Sequence, residues 1–104
     1  MPKLKAAFMF VAPGSDPSKH RAVIETPSVE LIVVGVSDYE EAAKVAKELV
    51  KEGVGAIELC AGFGHLGVAK VAEATEGKVP VGVVRFDLHP ALNNKSGDTL
   101  FTKK

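Results

Sequence analysis

The residues best suited to chemistry lie in one glycine-rich turn. Gly62, Gly64 and Gly67 have G-x-G-x-x-G spacing, Cys60 precedes the first glycine, and His65 follows the second. Where such a turn opens a helix, backbone N–H groups can approach an anion closely. We therefore expect a phosphate or carboxylate site with Gly62, Gly64 and His65 as donors. The alternative is an ordinary tight turn between a strand and a helix.

The same spacing is typical of dinucleotide-binding turns, and Asp87 lies 20 residues after Gly67, where such proteins have an acidic residue. A dinucleotide normally spans two mononucleotide-binding halves, and this chain has room for only one. We therefore expect no dinucleotide. The sequence leaves the cofactor, if any, unknown.

A second interpretation of the same residues is catalytic. Cys60 would be a nucleophile with His65 as its base, since a helix N-terminus favours a thiolate. Strand alternation puts Glu58 on the same face as Cys60, and Asp87 closes the next predicted strand, so both carboxylates could act as acid or base. This set would suit a lyase or isomerase of a small carbonyl compound. The competing interpretation is that Cys60 is a small buried apolar residue.

Arg85 and His89 could complete a ligand site. Arg85 is a charge inside an apolar run, so it either forms a structural ion pair with Glu58 or holds a ligand's anionic group. His89 follows the same run and is a further candidate ligand contact. A metal site that includes His20, His65 and His89 is a weaker alternative. Because their spacing matches no known metal motif, we expect no metal.

The elements that position these residues follow from hydrophobic runs and their punctuation. Four near-continuous apolar runs, each with a single charged residue, suit strands that are covered on both faces of a parallel sheet. They span residues 4–11, 29–36, 55–60 and 79–86. Three helices are predicted between them. The first runs from Asp16-Pro17 to Thr26-Pro27, the second from the capping box 37–40 to Gly53, and the third from the glycine turn to about Gly77.

The resulting order, β-α-β-α-β-α-β, predicts an α/β fold with a four-stranded parallel sheet and right-handed crossovers. The preferred arrangement is a flavodoxin- or Rossmann-like three-layer fold with strand order 2-1-3-4 and helices on both faces. Its ligand site would lie at the carboxyl edge, at the switch point. The alternative is a half-barrel with order 1-2-3-4, which would dimerise to cover its open edges.

The whole chain, residues 1–104, is predicted to be one domain. The segment 88–104 has no clear periodicity. Its apolar side chains predict that it packs onto other structure, with a neighbouring subunit as one candidate. Those side chains are Leu88, Leu92, Leu100 and Phe101.

Composition limits the function classes. The chain is 46% hydrophobic and 25% charged, and 13 basic residues balance 13 acidic ones, which argues against a nucleic-acid or membrane-surface partner. One cysteine excludes an internal disulfide. There is no signal-peptide pattern and no apolar run of about 20 residues, so we expect a cytoplasmic protein.

Three blocks of the sequence carry a resemblance to a known family. They are KAAFMFVAPGSDPSKHRAVIE, AIELCAGFGHLGVAKVAEA and VPVGVVRFDLHP. Together the chain resembles a family of small prokaryotic proteins classified only as a domain of unknown function. The resemblance implies a stand-alone single domain, and it assigns no activity, substrate or cofactor.

Two functions therefore stay open. The first is a domain that binds a small anionic molecule, and the second is a small cysteine- and histidine-dependent enzyme at the same sheet edge. A homo-oligomer is expected, because a domain of this size would need a neighbouring subunit to exclude water from an active site. A weaker third interpretation is an interaction subunit whose C-terminal segment packs on a partner.

Overall fold

A computed structural model describes residues 3–102 of the chain. The five strands are β1 (Leu4–Val11), β2 (Arg21–Glu25), β3 (Val29–Val36), β4 (Ala56–Leu59) and β5 (Val81–Val83). The helices are α1 (Tyr39–Lys51), α2 (His65–Thr75) and the short α3 (Asp98–Phe101), with a 3-10 turn at Pro90–Leu92. Within this range no helix has the length and hydropathy to cross a membrane.

The strands form one mixed sheet in the order β2-β3-β1-β4-β5. β3, β1, β4 and β5 are parallel, and they lie in the relative order that the sequence predicts. β2 is antiparallel to β3, with Arg21 opposite Val34. The prediction of a purely parallel, four-stranded sheet is therefore wrong, because the structure adds an antiparallel strand at one edge.

The edge strand β2 replaces the first predicted helix. Asp16 does not begin a helix but closes a turn, since its carbonyl accepts from the His20 N–H at 2.7 Å and its carboxylate accepts from the Ser18 N–H at 2.9 Å. A second turn leads into β3, where the Thr26 hydroxyl oxygen accepts from the Val29 N–H at 2.9 Å. Between these turns, the β-branched residues of β2 pair with β3, which would otherwise be the open edge of the sheet.

Both long helices lie on one face of the sheet. α1 connects β3 to β4 and α2 connects β4 to β5, so two right-handed crossovers run in the same direction and place their helices on the same side, in contact with each other. The first predicted helix would have covered the opposite face of the sheet, but its residues form strand β2 instead. Within residues 3–102 that other face carries no helix, so the expectation of helices on both faces is wrong.

The core lies between this sheet face and the two helices. Alternate strand residues point into it, and they are almost fully buried. From the strands they include Ala7, Met9, Val11, Ile32, Val34, Val36, Ile57 and Leu59. α1 contributes Ala42, Val45, Ala46 and Leu49, and each large aliphatic side chain buried here stabilises the fold by roughly 1.5–3 kcal/mol.

The capping box of α1 lies one residue later than predicted. Asp38 is the N-cap residue, and its Oδ1 accepts from the Glu41 N–H at 2.8 Å. Glu41 Oε1 in turn accepts from the Ser37 N–H at 2.8 Å and from the Ser37 hydroxyl at 2.9 Å. After the helix, Gly53 has a φ of 94°, the left-handed conformation that the sequence predicts there.

Candidate functional site

The glycine turn ends β4 and opens α2, as predicted, and its N–H groups do point at an anion. That anion is the side chain of Asp98. The Leu66 N–H lies 3.1 Å from both carboxylate oxygens, and the Gly67 N–H lies 3.4 Å from Oδ1. Gly64 is the N-cap residue and has no side chain to satisfy these donors, so Asp98 supplies the missing cap. The chain itself therefore occupies the anion position at the N-terminus of α2.

The buried side chain of Tyr39 connects Asp98 to the glycine turn. Its side chain is 3% exposed, and its hydroxyl donates to Asp98 Oδ1 at 2.9 Å while accepting from the Gly64 N–H at 3.0 Å. Burial raises the pKa of Tyr39 well above its usual value, and the nearby Asp98 carboxylate adds to that effect. The hydroxyl is therefore a protonated donor throughout the physiological pH range.

The glycines provide space for the C-terminal segment and for Tyr39. A Cβ at Gly64 would lie 2.5 Å from Asp98 Oδ1, and a Cβ at Gly67 would lie 2.5 Å from the Tyr39 ring. On the other side of the contact, a Cβ at Gly97 would overlap the carbonyl oxygen of Gly62. Gly97 and Gly62 thus meet backbone to backbone, whereas Gly64 and Gly67 make room for side chains, so close packing within the fold accounts for these glycines.

The C-terminal segment packs on its own domain. The Ser96 Oγ accepts from the Asp98 N–H at 3.1 Å, which closes the turn that presents the carboxylate. Phe101 is 5% exposed, and its ring lies 6.1 Å from the Tyr39 ring between centroids. The C-terminal segment therefore packs on its own subunit, and these contacts involve no neighbouring subunit. Leu92 also packs against the core, whereas Leu88 and Leu100 are exposed.

A separate group of polar side chains lies at the surface beside the start of α2. The Arg85 guanidinium contacts the ring nitrogens of His65, and its Nε donates to Asp87 Oδ1 at 2.8 Å. His65 Nε2 is 4.0 Å from the same carboxylate oxygen. The side chains of His65 and Asp87 are 74% and 71% exposed, so solvent screens these interactions and they stabilise the fold little. His65, Arg85 and Asp87 are the predicted site residues that the structure brings together.

Other predicted site residues lie apart from that group. Arg85 pairs with Asp87, so the predicted ion pair between Glu58 and Arg85 is wrong. Glu58 is exposed on the sheet face that lacks helices, and within residues 3–102 its side chain forms no ion pair or hydrogen bond. Cys60 is half-buried against the core, and its Sγ accepts from the Gly62 N–H at 3.3 Å. No hydrogen bond joins Cys60 to His65 in the described part of the chain.

His89 has a local structural role. Its Nδ1 accepts from the Ala91 N–H at 3.1 Å and so caps the 3-10 turn. Its ring lies edge-on to Phe86, with 5.3 Å between centroids. His20 is also used locally, since its Nδ1 accepts from the Asp16 N–H at 2.8 Å. Across residues 3–102, no three His, Cys, Asp or Glu side chains lie close enough together to hold a metal ion.

Two surface grooves lie away from the glycine turn. They have volumes of about 130 and 230 Å³ and run between the exposed sides of α1 and α2. Lys47, Ala74 and Glu76 line both of them, and no residue of the glycine turn contributes to either. At the turn itself, the C-terminal segment fills the space where a ligand pocket was expected.

Sequence reasoning missed Tyr39 and Asp98. Asp98 is separated from Leu66 by 32 residues and from Tyr39 by 59, so no local spacing connects them. One signal was available in Ser96-Gly97-Asp98. A glycine there, between two residues that favour turns and caps, is typical of a tight turn that presents a carboxylate.

The fold and this turn define a small mixed α/β domain in which the C-terminal segment caps the glycine-rich turn. The chain belongs to the family of unknown function DUF6506, whose match spans residues 4–99. The resemblance to a domain of unknown function is thereby confirmed. The comparisons with curated proteins and with solved structures gave no match. The matched range contains both the glycine turn and Asp98, so their contact lies within the family's domain.

Proposed function

We propose that this protein binds a small anionic molecule, a phosphate or a carboxylate, at the carboxyl edge of the sheet beside the start of α2. The observation that carries the proposal is the contact between the Arg85 guanidinium and the His65 ring at the protein surface. Only the Arg85 Nε is used by Asp87. Its Nη2 faces the His65 ring nitrogens, and guanidinium N–H groups are strong donors to carboxylates and phosphates.

This proposal is narrower than the one from the sequence, because the glycine turn no longer supplies the ligand donors. The Gly62 N–H donates a hydrogen bond to Cys60 Sγ, and the Gly64 N–H donates one to the Tyr39 hydroxyl. The binding groups would be the Arg85 and His65 side chains. His89 is a candidate third contact through Nε2, since its Nδ1 is used by Ala91.

The position in the sheet supports the proposal. In the order β3-β1-β4-β5 the loops after β1 and β4 flank the switch point, where flavodoxin- and Rossmann-like folds bind ligands. The likeness to those folds is limited to this strand order, because both long helices lie on one face here. The glycine turn and His65 follow β4 directly.

Thermal unfolding in inorganic phosphate, and separately in malonate, at constant ionic strength tests the proposal. A ligand at 100 times its Kd stabilises the native state by about 2.7 kcal/mol, which raises Tm measurably for a domain of this size. We expect Arg85→Met and His65→Gln to abolish most of that increase. Arg21→Met is the matched control, since Arg21 is the chain's other arginine and pairs with Glu52 at 2.7 Å on the edge strand.

Two results would contradict the proposal. One is the absence of any saturable stabilisation by either anion in the unmodified protein. The other is a stabilisation that is equal in Arg85→Met and Arg21→Met, which would show that the anion acts without the Arg85 side chain.

The second candidate is an enzyme in which Cys60 is the nucleophile, with His65, Glu58 and Asp87 as assisting groups. The observation that favours it is the hydrogen bond from the Gly62 N–H to Cys60 Sγ, a contact that a reactive sulfur would use. Alkylation by iodoacetamide across neutral pH tests it, because Cys60 is the only cysteine. Fast alkylation that slows in His65→Ala would support the enzyme. Alkylation at the rate of an unfolded control would contradict it.

The wider setting of the protein follows from composition. Balanced acidic and basic residues lead us to propose no nucleic-acid or membrane partner, and the lone unpaired Cys60 fits the reducing cytoplasm that we propose as its location. We also propose that it is a homo-oligomer.

A further inference from the structure

Exposed apolar side chains are concentrated around the contact between Arg85 and His65. Among residues 3–102, nine large apolar side chains are exposed, and six of them lie at the start of α2, on the stretch 83–88 or on α3. Those six are Leu66, Val83, Val84, Phe86, Leu88 and Leu100. Apolar side chains that are exposed singly need no explanation, whereas a group of them marks a binding surface.

Hydrogen bonds bring these three segments together. The Arg85 guanidinium contacts the ring nitrogens of His65, the first residue of α2, so the stretch 83–88 lies at that helix end. The Leu66 N–H donates to Asp98, the first residue of α3, at 3.1 Å. The six exposed side chains therefore belong to segments that meet at the N-terminus of α2.

Each polar residue that surrounds Arg85 at the proposed anion site, and Arg85 itself, is followed directly by an exposed apolar residue. We call these apolar residues the apolar rim, and they are Leu66 after His65, Phe86 after Arg85 and Leu88 after Asp87. Phe86 is held in position by the His89 ring, which lies edge-on to it with 5.3 Å between centroids. A contact surface that is ordered before binding loses less conformational entropy when a ligand arrives.

The charges beside the apolar rim suit a ligand group with a single negative charge. The Arg85 side chain is 32% exposed, so solvent screens its charge less than that of a fully exposed arginine. The Asp87 carboxylate lies 2.8 Å from Arg85 Nε and balances its charge. Because the pair has no net charge, it offers a phosphate dianion little additional attraction. The affinity for a ligand has to come from hydrogen bonds and from apolar contact.

We propose that the ligand of this site is an organic monocarboxylate with a hydrocarbon chain. The inference rests on the proposed anion site and names the class of molecule that it takes. The carboxylate accepts hydrogen bonds from Arg85 and His65, and the hydrocarbon chain contacts the apolar rim. Each methylene group that becomes fully buried increases the affinity about fourfold, a gain that neither acetate nor inorganic phosphate can obtain.

A series of carboxylates with growing chains tests the proposal. The ligands are acetate, butyrate and hexanoate, compared with inorganic phosphate and with hexylamine, which has a similar chain but a positive charge. The Kd of each is measured from the Arg85 Nε–H signal of the ¹⁵N-labelled protein at constant ionic strength. Leu88→Ala removes a rim side chain that is 70% exposed. Leu4→Ala is the matched control, since Leu4 is 49% exposed and begins β1 at the opposite edge of the sheet.

We expect hexanoate to bind at least tenfold more tightly than acetate or phosphate, and hexylamine to cause no saturable shift. Leu88→Ala should reduce the ratio of the acetate and hexanoate Kd values at least threefold, and Leu4→Ala should leave it unchanged. Equal Kd values along the series would overturn this inference and leave the anion site in place. So would hexylamine binding as tight as that of hexanoate, or a chain-length effect that is equal in the two variants. The absence of saturable binding by any anion would overturn the anion site and this inference together.

Discussion

The Tyr39 hydroxyl donates a hydrogen bond to Asp98 Oδ1 at 2.9 Å, across 59 positions of the chain. Because the same hydroxyl accepts from the Gly64 N–H, it joins the start of α1, the glycine turn and the C-terminal segment. Within the described residues, no buried side-chain nitrogen or oxygen lacks a hydrogen-bond partner. A turn that looks like a ligand site from its sequence thus serves first to close the fold.

Replacing Asp98 should destabilise the domain more than replacing an exposed aspartate. Asp98→Ala removes the acceptor for the Leu66 and Gly67 N–H groups and for the Tyr39 hydroxyl, at a cost of about 1–3 kcal/mol. Asp87→Ala, the matched control, loses an ion pair whose aspartate side chain is 71% exposed and should cost at most about 1 kcal/mol. Urea unfolding measures both. Equal effects would show that Asp98 is not the cap of α2.

Much of the fold could be predicted from the sequence. The apolar runs that became β1 and β3 are long, each with one charged residue, and their order relative to β4 and β5 is the arrangement preferred over the half-barrel. The prediction failed at residues 17–25, where Asp16-Pro17 resembles a helix start. There the edge of β3 needs a partner, and this tertiary requirement decided in favour of strand β2.

The candidate site could be located but not described from the sequence. The glycine turn, His65, Arg85 and Asp87 do lie together at the carboxyl edge. Hydrophobic periodicity could not predict that Asp98 binds the N–H groups of the glycine turn. Asp98 lies in an irregular segment, 32 residues after Leu66. Whether a bound anion or the Asp98 carboxylate occupies the N-terminus of α2 depends on tertiary contacts, which no local sequence motif predicts.

The ionisation of Tyr39 should begin at a higher pH in the folded protein than in urea. Tyr39 is the only tyrosine and there is no tryptophan, so tyrosinate absorbance reports this residue alone. Burial raises its pKa in the native state, whereas the unfolded chain should titrate near 10. Coincident titration curves in buffer and in urea would contradict the buried hydrogen-bonded position.

The same shift predicts a loss of stability at alkaline pH. Below about pH 10 the tyrosine is protonated in both states, so its contribution to stability is fully present. As the pH rises above that value, the unfolded state loses the proton and the native state keeps it, so the free energy of unfolding falls. Tyr39→Phe should lack this part of the alkaline decrease, and urea unfolding at a series of pH values measures it. An identical decrease in Tyr39→Phe would assign it to other groups.

A methyl group at residue 97 should weaken the docking of the C-terminal segment. In Gly97→Ala the new Cβ would overlap the Gly62 carbonyl oxygen, a backbone atom that cannot move aside alone, and overpacking of this kind typically costs about 1–3 kcal/mol. Gly82→Ala is the control, because no atom lies within 4 Å of its Cβ position. Urea unfolding and limited proteolysis should show a less stable protein with a cleavable C-terminal segment only for Gly97→Ala. Equal behaviour of the two variants would contradict the close approach.

The most direct test of the proposed anion site is an NMR titration of the protein with an anion. In a titration of the ¹⁵N-labelled protein with inorganic phosphate, we expect saturable shifts of the Arg85 Nε–H and the His65 side-chain signals. The backbone N–H signals of Leu66 and Gly67 should stay in place, because Asp98 holds them. Saturable shifts at Leu66 and Gly67 would mean that the anion displaces Asp98. That result, or the absence of saturable shifts at Arg85 and His65, would contradict the proposed site.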